Sequence, residues 1–213
     1  MKSYPVNLKL KDKKTLVVGG GKVASRKIQK LLQSQSIVKV VSPKLNEESQ
    51  RLIKDKNCHY YSREFKVEDL DDIFLAVAAT NKEKVNKNIA HLAAESGILV
   101  NVVDDYSLSD FTLPAVVDRG ELMIAFSTGG NLPALSKKLR KSLEEEYGEE
   151  YNAFLKYIKK IRPKIINEIN DKQERKKIFH ELTNKELIEL FKENRDAAIL
   201  KINKIVGEKM NLK

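Results

Sequence analysis

The sequence predicts an α/β protein: a mostly parallel sheet covered by helices on both faces, followed by a hairpin-plus-helix segment and a small all-helical domain. Three observations carry this. Short apolar runs alternate with helical-period segments over the first half of the chain. A glycine cluster stands directly after the first run and opens a helix. After Asp110 the rhythm changes to two closely spaced strands and then to helical pattern only.

Thr15–Val18 reads as a strand, and the helical period starts at Lys22, with Val23, Ile28, Leu31 and Leu32 on one apolar face. Ile37–Val41 is a second, β-branched run ended by Pro43, so the first unit is β-α-β. A short helix is expected over Asn46–Lys54, a strand at His59–Tyr61 and another at Phe74–Ala79. Thr80 or Asn81 is the expected cap of a helix that runs to Ser96 and stops at Gly97. Ile98–Val103 is a further strand, leading into Asp104 and Asp105.

Phe111–Val117 and Leu122–Ser127 flank the turn Asp118–Arg119–Gly120 and read as a hairpin. After Thr128–Gly129–Gly130, Pro133 suits the first turn of a helix reaching Tyr147. From Tyr151 the pattern is helical, with breaks expected near Pro163 and Thr183 and an end near Gly207. The division is therefore 1–113, 114–150 and 151–213. The middle piece is too small to bury both faces of its hairpin, whose apolar residues are Leu113, Val116, Val117, Leu122, Ile124 and Phe126. A twin from a second subunit is the expected cover.

Composition narrows the function classes. With 41% hydrophobic and 33% charged residues, the chain resembles neither a disordered nor a membrane protein. No apolar stretch is long enough to span a bilayer, and Met1–Lys14 lacks a signal-peptide core. A single cysteine, Cys58, excludes an internal disulfide and fits a reducing, cytoplasmic location. The formal net charge of +10 favours an anionic partner. The basic tail carries no zinc-finger, homeodomain or RNA-binding aromatic signature, so neither nucleic acid nor membrane is expected as partner.

Gly19–Gly20–Gly21–Lys22–Val23–Ala24 holds the spacing G-x-G-x-x-A between a strand and a helix. Gly19 permits the tight turn, Gly21 lets the backbone approach a pyrophosphate, and Ala24 keeps the helix near the strand. Free N–H groups at the helix start then bind the phosphates. The ribose-binding acid usual at the end of the second strand is missing, because Val41–Ser42–Pro43–Lys44 stands there. Ser42 can bond a ribose hydroxyl, and Lys44 can tolerate or attract a 2′-phosphate.

Other candidates have two readings each. Asp104, past the carboxyl end of a central strand, either accepts and steers a proton or caps a turn. Ser127 and Thr128 before Gly129–Gly130 form either an anion-presenting turn or an ordinary strand-to-helix loop. Asn101 holds a loop or touches the cofactor. Arg119 pairs with a substrate carboxylate or with Asp118. His59, His91 and His180 are scattered without ligand spacing, and no metal site is expected.

Leu16–Ala24, Arg26–Lys27, Leu75–Asn81, Asn86, Val100–Asp104, Phe111–Pro114, Val117–Arg119, Leu122–Gly130 and Pro133 together resemble the siroheme synthase N-terminal domain family. This family comprises precorrin-2 dehydrogenases and bifunctional dehydrogenase/ferrochelatases. The resemblance implies a Rossmann-like NAD-binding domain (1–113), a dimerisation segment (114–150), a helical domain (151–213) and an intertwined homodimer. It implies NAD as cofactor on the glycine turn Gly19–Ala24, with Thr80 and Asn101 nearby; Ser42 and Pro43 are added as cofactor candidates by their place at the end of the second strand. It places catalysis on Asp104 and a substrate-side hydroxyl at Thr128, with Ser127 beside it; Arg119 and Gly129 join them as candidate substrate contacts from the turns they occupy. Thr128 stands where many members have serine. The implied function is NAD-dependent oxidation of precorrin-2 to sirohydrochlorin. The alternatives are an enzyme that also inserts Fe²⁺, and a dinucleotide-binding regulator without turnover.

Overall fold

The computed structural model describes residues 4–103 and 105–210. The chain divides into two compact units, Met1–Leu113 and Pro114–Lys213.

The first unit is built on five strands: β1 (Lys14–Val18), β2 (Ile37–Val41), β3 (Cys58–Tyr61), β4 (Leu75–Ala78) and β5 (Leu99–Val102). They pair in the order β3-β2-β1-β4-β5, every pair parallel. The helices are α1 (Lys22–Gln33), α2 (Glu47–Leu52) and α3 (Glu83–Glu95). This is a Rossmann-like α/β sheet, whose strand order reverses between β1 and β4.

Burial on both faces explains why the central strands are continuous apolar runs rather than alternating ones. Leu16 and Val18 of β1 point into one core with Ala76, Ala78, Ile89, Ala93 and Val100. Val17 points into the other with Ala24, Ile28, Val38, Val40 and Val77. The edge of the sheet is pinned by an ion cluster. The buried Asp69 carboxylate takes both Arg63 guanidinium nitrogens at 2.7 Å and Lys39 Nζ at 2.9 Å.

Several local expectations are corrected. Val23 is exposed, and the buried face of α1 is Ala24, Ser25, Ile28 and Leu31, because Val23 sits on the open first turn. α3 starts at Glu83 with no side-chain cap; Thr80 Oγ1 instead accepts from Lys82 N–H at 3.1 Å within the preceding turn. A 3₁₀ turn at Val67–Leu70 was not predicted, since four residues carry no period.

The second unit opens with an antiparallel hairpin, β6 (Ala115–Arg119) and β7 (Leu122–Phe126), joined at Gly120–Glu121. Asp118 and Arg119 thus belong to the strand and not to the turn. Of the hairpin's apolar residues Val117 is buried, whereas Met123 is exposed. α4 (Pro133–Glu146) has Pro133 at its first position and buries no residue. α5 (Glu150–Glu168), α6 (Lys172–Glu181), α7 (Lys185–Glu193) and α8 (Arg195–Met210) enclose a core of Phe154, Ile165, Ile169, Ile178, Leu187, Phe191 and Ile202. Phe154 meets Phe191 edge-on, centroids 5.6 Å apart.

The expected break at Pro163 does not occur: α5 runs through it. Proline removes one helical N–H and crowds the preceding turn. Here its ring is exposed, while Ile165 and Ile169 just beyond it are buried in the core and hold the helix on course.

Candidate functional site

In open α/β sheets, ligands bind beyond the carboxyl ends of the strands where the order reverses. β1 and β4 end side by side at that point. Gly19 follows β1 with φ +126°, a left-handed conformation. A Cβ on Gly19 would lie 2.2 Å from the Ala79 carbonyl oxygen, so no side chain fits. Its N–H donates to Val41 O (2.9 Å), tying the turn to the end of β2. Gly20 is constrained from the other side: a Cβ there would lie 2.1 Å from Lys44 O. Gly20 O accepts from Asn46 N–H at 2.8 Å.

Gly21 differs from both. A Cβ on it would meet nothing within 4 Å, so packing within the protein does not require glycine there. Gly21 is the N-cap of α1, and no side chain caps this helix or places an acid in its first turn. The leading N–H groups of Lys22, Val23 and Ala24 have no helical acceptor, and Lys22 and Val23 are exposed. The result is an open cradle with a helix N-terminus at its base, whose partial positive charge suits an anion such as a phosphate.

Four further candidates belong to the same unit, in the loops after β2 and β4 and on β5. Ser42 is buried, and its hydroxyl donates to Lys44 O at 2.7 Å, shaping the loop after β2; Pro43 is exposed beside it. Thr80 donates from Oγ1 to Asn86 Oδ1 at 2.7 Å, and Asn86 Nδ2 donates back to Thr80 O at 3.0 Å. Asn101 accepts from Lys27 Nζ (3.3 Å) and donates to Phe111 O (3.0 Å), so it both holds a loop and links β5 to α1. Gly19–Ala24, Ser42, Pro43, Thr80 and Asn101 all therefore lie on the first unit, at or beside its carboxyl-end loops.

Asp104 lies outside the described residues. Its neighbour Asp105 is committed to its own turn. Oδ1 accepts from the Ser107 hydroxyl at 2.6 Å and from Ser107 N–H at 3.0 Å. These hydrogen bonds, the hydroxyl's first, hold the Asp105 carboxyl below the usual carboxylate range.

The remaining candidates are on the second unit and do not form one cluster there. Arg119 pairs with Leu122 at the closed end of the hairpin, while Phe126, just before Ser127, pairs with Ala115 at the open end. Arg119 fastens the end of α4: Nε donates to Tyr147 O (2.8 Å), Nη2 to Glu144 O (2.9 Å), and Glu149 lies 3.6 Å away. A guanidinium at a helix C-terminus satisfies carbonyls that lack helical partners. Ser127 Oγ accepts from Gly129 N–H at 3.1 Å, and Thr128 Oγ1 lies 3.2 Å from Ser136 Oγ of α4. Gly129 and Gly130 both have positive φ.

Sequence reasoning assigned no role to Asn86, Lys27 or Ser25. Asn86 is buried, and it fixes Thr80 through the bonds above. Ser25 donates to Glu48 Oε2 at 2.8 Å, joining α1 to α2. A polar residue on the sheet-facing side of a helix was the available signal for Ser25 and Asn86. Among the described residues, no group of three or more His, Cys, Asp or Glu is placed to hold a metal ion. No helix among them is long and apolar enough to cross a membrane.

The family model described as "Putative NAD(P)-binding" matches residues 6–115. A siroheme synthase of Nitrosomonas europaea is 34% identical over 199 residues, 93% of this chain and 42% of that protein. A siroheme synthase of Buchnera aphidicola is 32% identical over 213 residues, 100% of this chain and 45% of that protein. The chain thus spans less than half the length of these relatives. A solved structure named SirC, precorrin-2 dehydrogenase, superposes with a TM-score of 0.78 at 29% identity, covering 95% of this chain and 100% of that one. The chain belongs to the NAD(P)-binding family so matched and to the siroheme synthase N-terminal domain family.

Proposed function

We propose that this protein is a precorrin-2 dehydrogenase that uses NAD⁺ and yields sirohydrochlorin. The observation that carries the reading is the glycine turn at the β1/β4 reversal, in a chain that matches a precorrin-2 dehydrogenase over that protein's whole length. Bound dinucleotide supplies a hydride acceptor at the nicotinamide ring. The protein's own part is to hold the pyrophosphate on the α1 N-terminus and to keep Gly21 clear. The oxidation removes two hydrogens from the macrocycle, one as hydride and one as a proton. Asp104, which follows β5 in sequence, takes the proton and stabilises the cationic macrocycle left by hydride loss.

Precorrin-2 carries eight carboxylates, and the +10 balance of the chain suits such a ligand. Ser127, Thr128 and Gly129 contribute hydroxyl and N–H groups to it. Arg119 acts on substrate indirectly, by fixing the end of α4.

The segment 114–150 serves as the dimerisation segment, with 151–213 as the helical domain beyond it. Leu135 and Leu139 are exposed on α4, Leu132 just before it, and Met123 on the hairpin. A second copy of the same segment is the cover that these residues fit. A cytoplasmic location accords with one reduced, buried cysteine.

The test is a steady-state assay under anaerobic conditions with enzymatically made precorrin-2. Sirohydrochlorin absorbance should rise when NAD⁺ is added and not without a dinucleotide. Binding of NAD⁺ without any turnover of precorrin-2 would replace the dehydrogenase by a dinucleotide-binding regulator.

A further inference from the structure

The loop that closes the glycine turn carries a charge suited to a different dinucleotide. Discrimination between NAD⁺ and NADP⁺ is made where the second strand ends, since the adenosine ribose lies there. An acid at that point bonds the ribose diol and repels a 2′-phosphate. Here β2 ends at Val41, and the next five residues, Ser42 to Asn46, contain no acid. The first acids are Glu47 and Glu48 in α2, and Glu48 is engaged by the Ser25 hydroxyl at 2.8 Å.

Ser42, the one hydroxyl in the loop, is buried and donates to Lys44 O. Tyr60 Oη donates to Ser42 O at 2.9 Å, fixing the same residue from β3. Lys44 is the only charged residue in the loop, and it is exposed. Its backbone sits against the cradle, because a Cβ on Gly20 would lie 2.1 Å from Lys44 O. Among the described residues no carboxylate pairs with its ammonium.

We propose that Lys44 admits the 2′-phosphate of NADP⁺ to the glycine-turn site, and that the charge at position 44 sets the preference between NADP⁺ and NAD⁺. The proposal rests on the reading of the glycine turn as a dinucleotide site. It goes beyond that reading in naming the cofactor range and the residue that controls it.

Equilibrium binding of both dinucleotides to the full chain, by titration calorimetry without substrate, decides it. The unaltered protein should bind NADP⁺ within about tenfold of NAD⁺, and NADP⁺ binding should weaken more steeply with added salt. Lys44→Glu should raise the ratio of the NADP⁺ to the NAD⁺ dissociation constant by about tenfold or more, as loss of a charge-assisted bond and a new repulsion require. Lys30→Glu, the same charge change in the last turn of α1, should leave the ratio where it was. Rejection of NADP⁺ by the unaltered protein, or a ratio unmoved in Lys44→Glu, overturns the proposal and leaves the dinucleotide site standing. Failure of both dinucleotides to bind overturns the site reading itself.

Discussion

Gly21 separates a structural from a functional reason for glycine. Gly19 and Gly20 are required by the protein's own backbone, whereas the space over Gly21 is open. Gly21→Val is therefore expected to fold normally and to weaken NAD⁺ binding by about a hundredfold or more, because its side chain would fill the proposed phosphate position. Unchanged NAD⁺ affinity in the folded variant refutes the placement. The two adjacent acids make a second contrast. Asp104→Asn is expected to lower kcat by about 10²–10⁴-fold with NAD⁺ affinity nearly constant. Asp105, bound within its own turn to Ser107, should tolerate the same change with kcat nearly intact. Near-normal turnover in Asp104→Asn ends the catalytic claim. At this scale the sequence was informative on local backbone geometry, as at Gly19, whose tight turn leaves no room for a side chain, and at buried Ala24. It assigned no role to Asn86 and Ser25, whose partners stand six and twenty-three residues away.

Strands and helices with a full period were legible, and short or externally supported ones were not. β2 was placed to the residue because five β-branched or long side chains lie between a loop and a proline. The passage of α5 through Pro163 was not, since local propensity argued for a break and buried Ile165 and Ile169 outweighed it. The ion cluster around Asp69 was equally invisible, because Lys39, Arg63 and Asp69 come from β2, the loop after β3 and a 3₁₀ turn. Burial by itself would raise the Asp69 carboxyl. Hydrogen bonds from Arg63, Lys39 and the Lys66 N–H outweigh it and hold the group well below the usual carboxylate range. A depressed pKa stabilises the fold above the unfolded value of about 3.9, and that stabilisation is lost as pH falls through and below it. Asp69→Asn should therefore cost about 3 kcal/mol at pH 7. The difference from the unaltered protein should shrink at pH 3. Denaturation midpoints at the two pH values check this, and a difference independent of pH contradicts it.

Across the whole molecule, the two units divide the work: a dinucleotide-binding sheet in Met1–Leu113, and a hairpin and helices in Pro114–Lys213. α4 is the element whose sequence and structure agree least with a monomer, as none of its residues is fully buried and Leu135 and Leu139, with Leu132 just before it, are exposed. Light scattering at micromolar protein should give twice the 24.3 kDa chain mass, and Leu135→Glu with Leu139→Glu should return it to the chain mass. A fully active monomer contradicts the dimer. The central claim, that this chain oxidises precorrin-2 with NAD⁺, is tested most directly by stoichiometry. Limiting precorrin-2 and excess NAD⁺ are mixed with the protein without oxygen, and NADH and sirohydrochlorin are followed by absorbance in one cuvette. Equal amounts of the two products, formed together and absent without protein, are the predicted result. Sirohydrochlorin appearing without NADH, or neither product appearing while NAD⁺ binds, would contradict it.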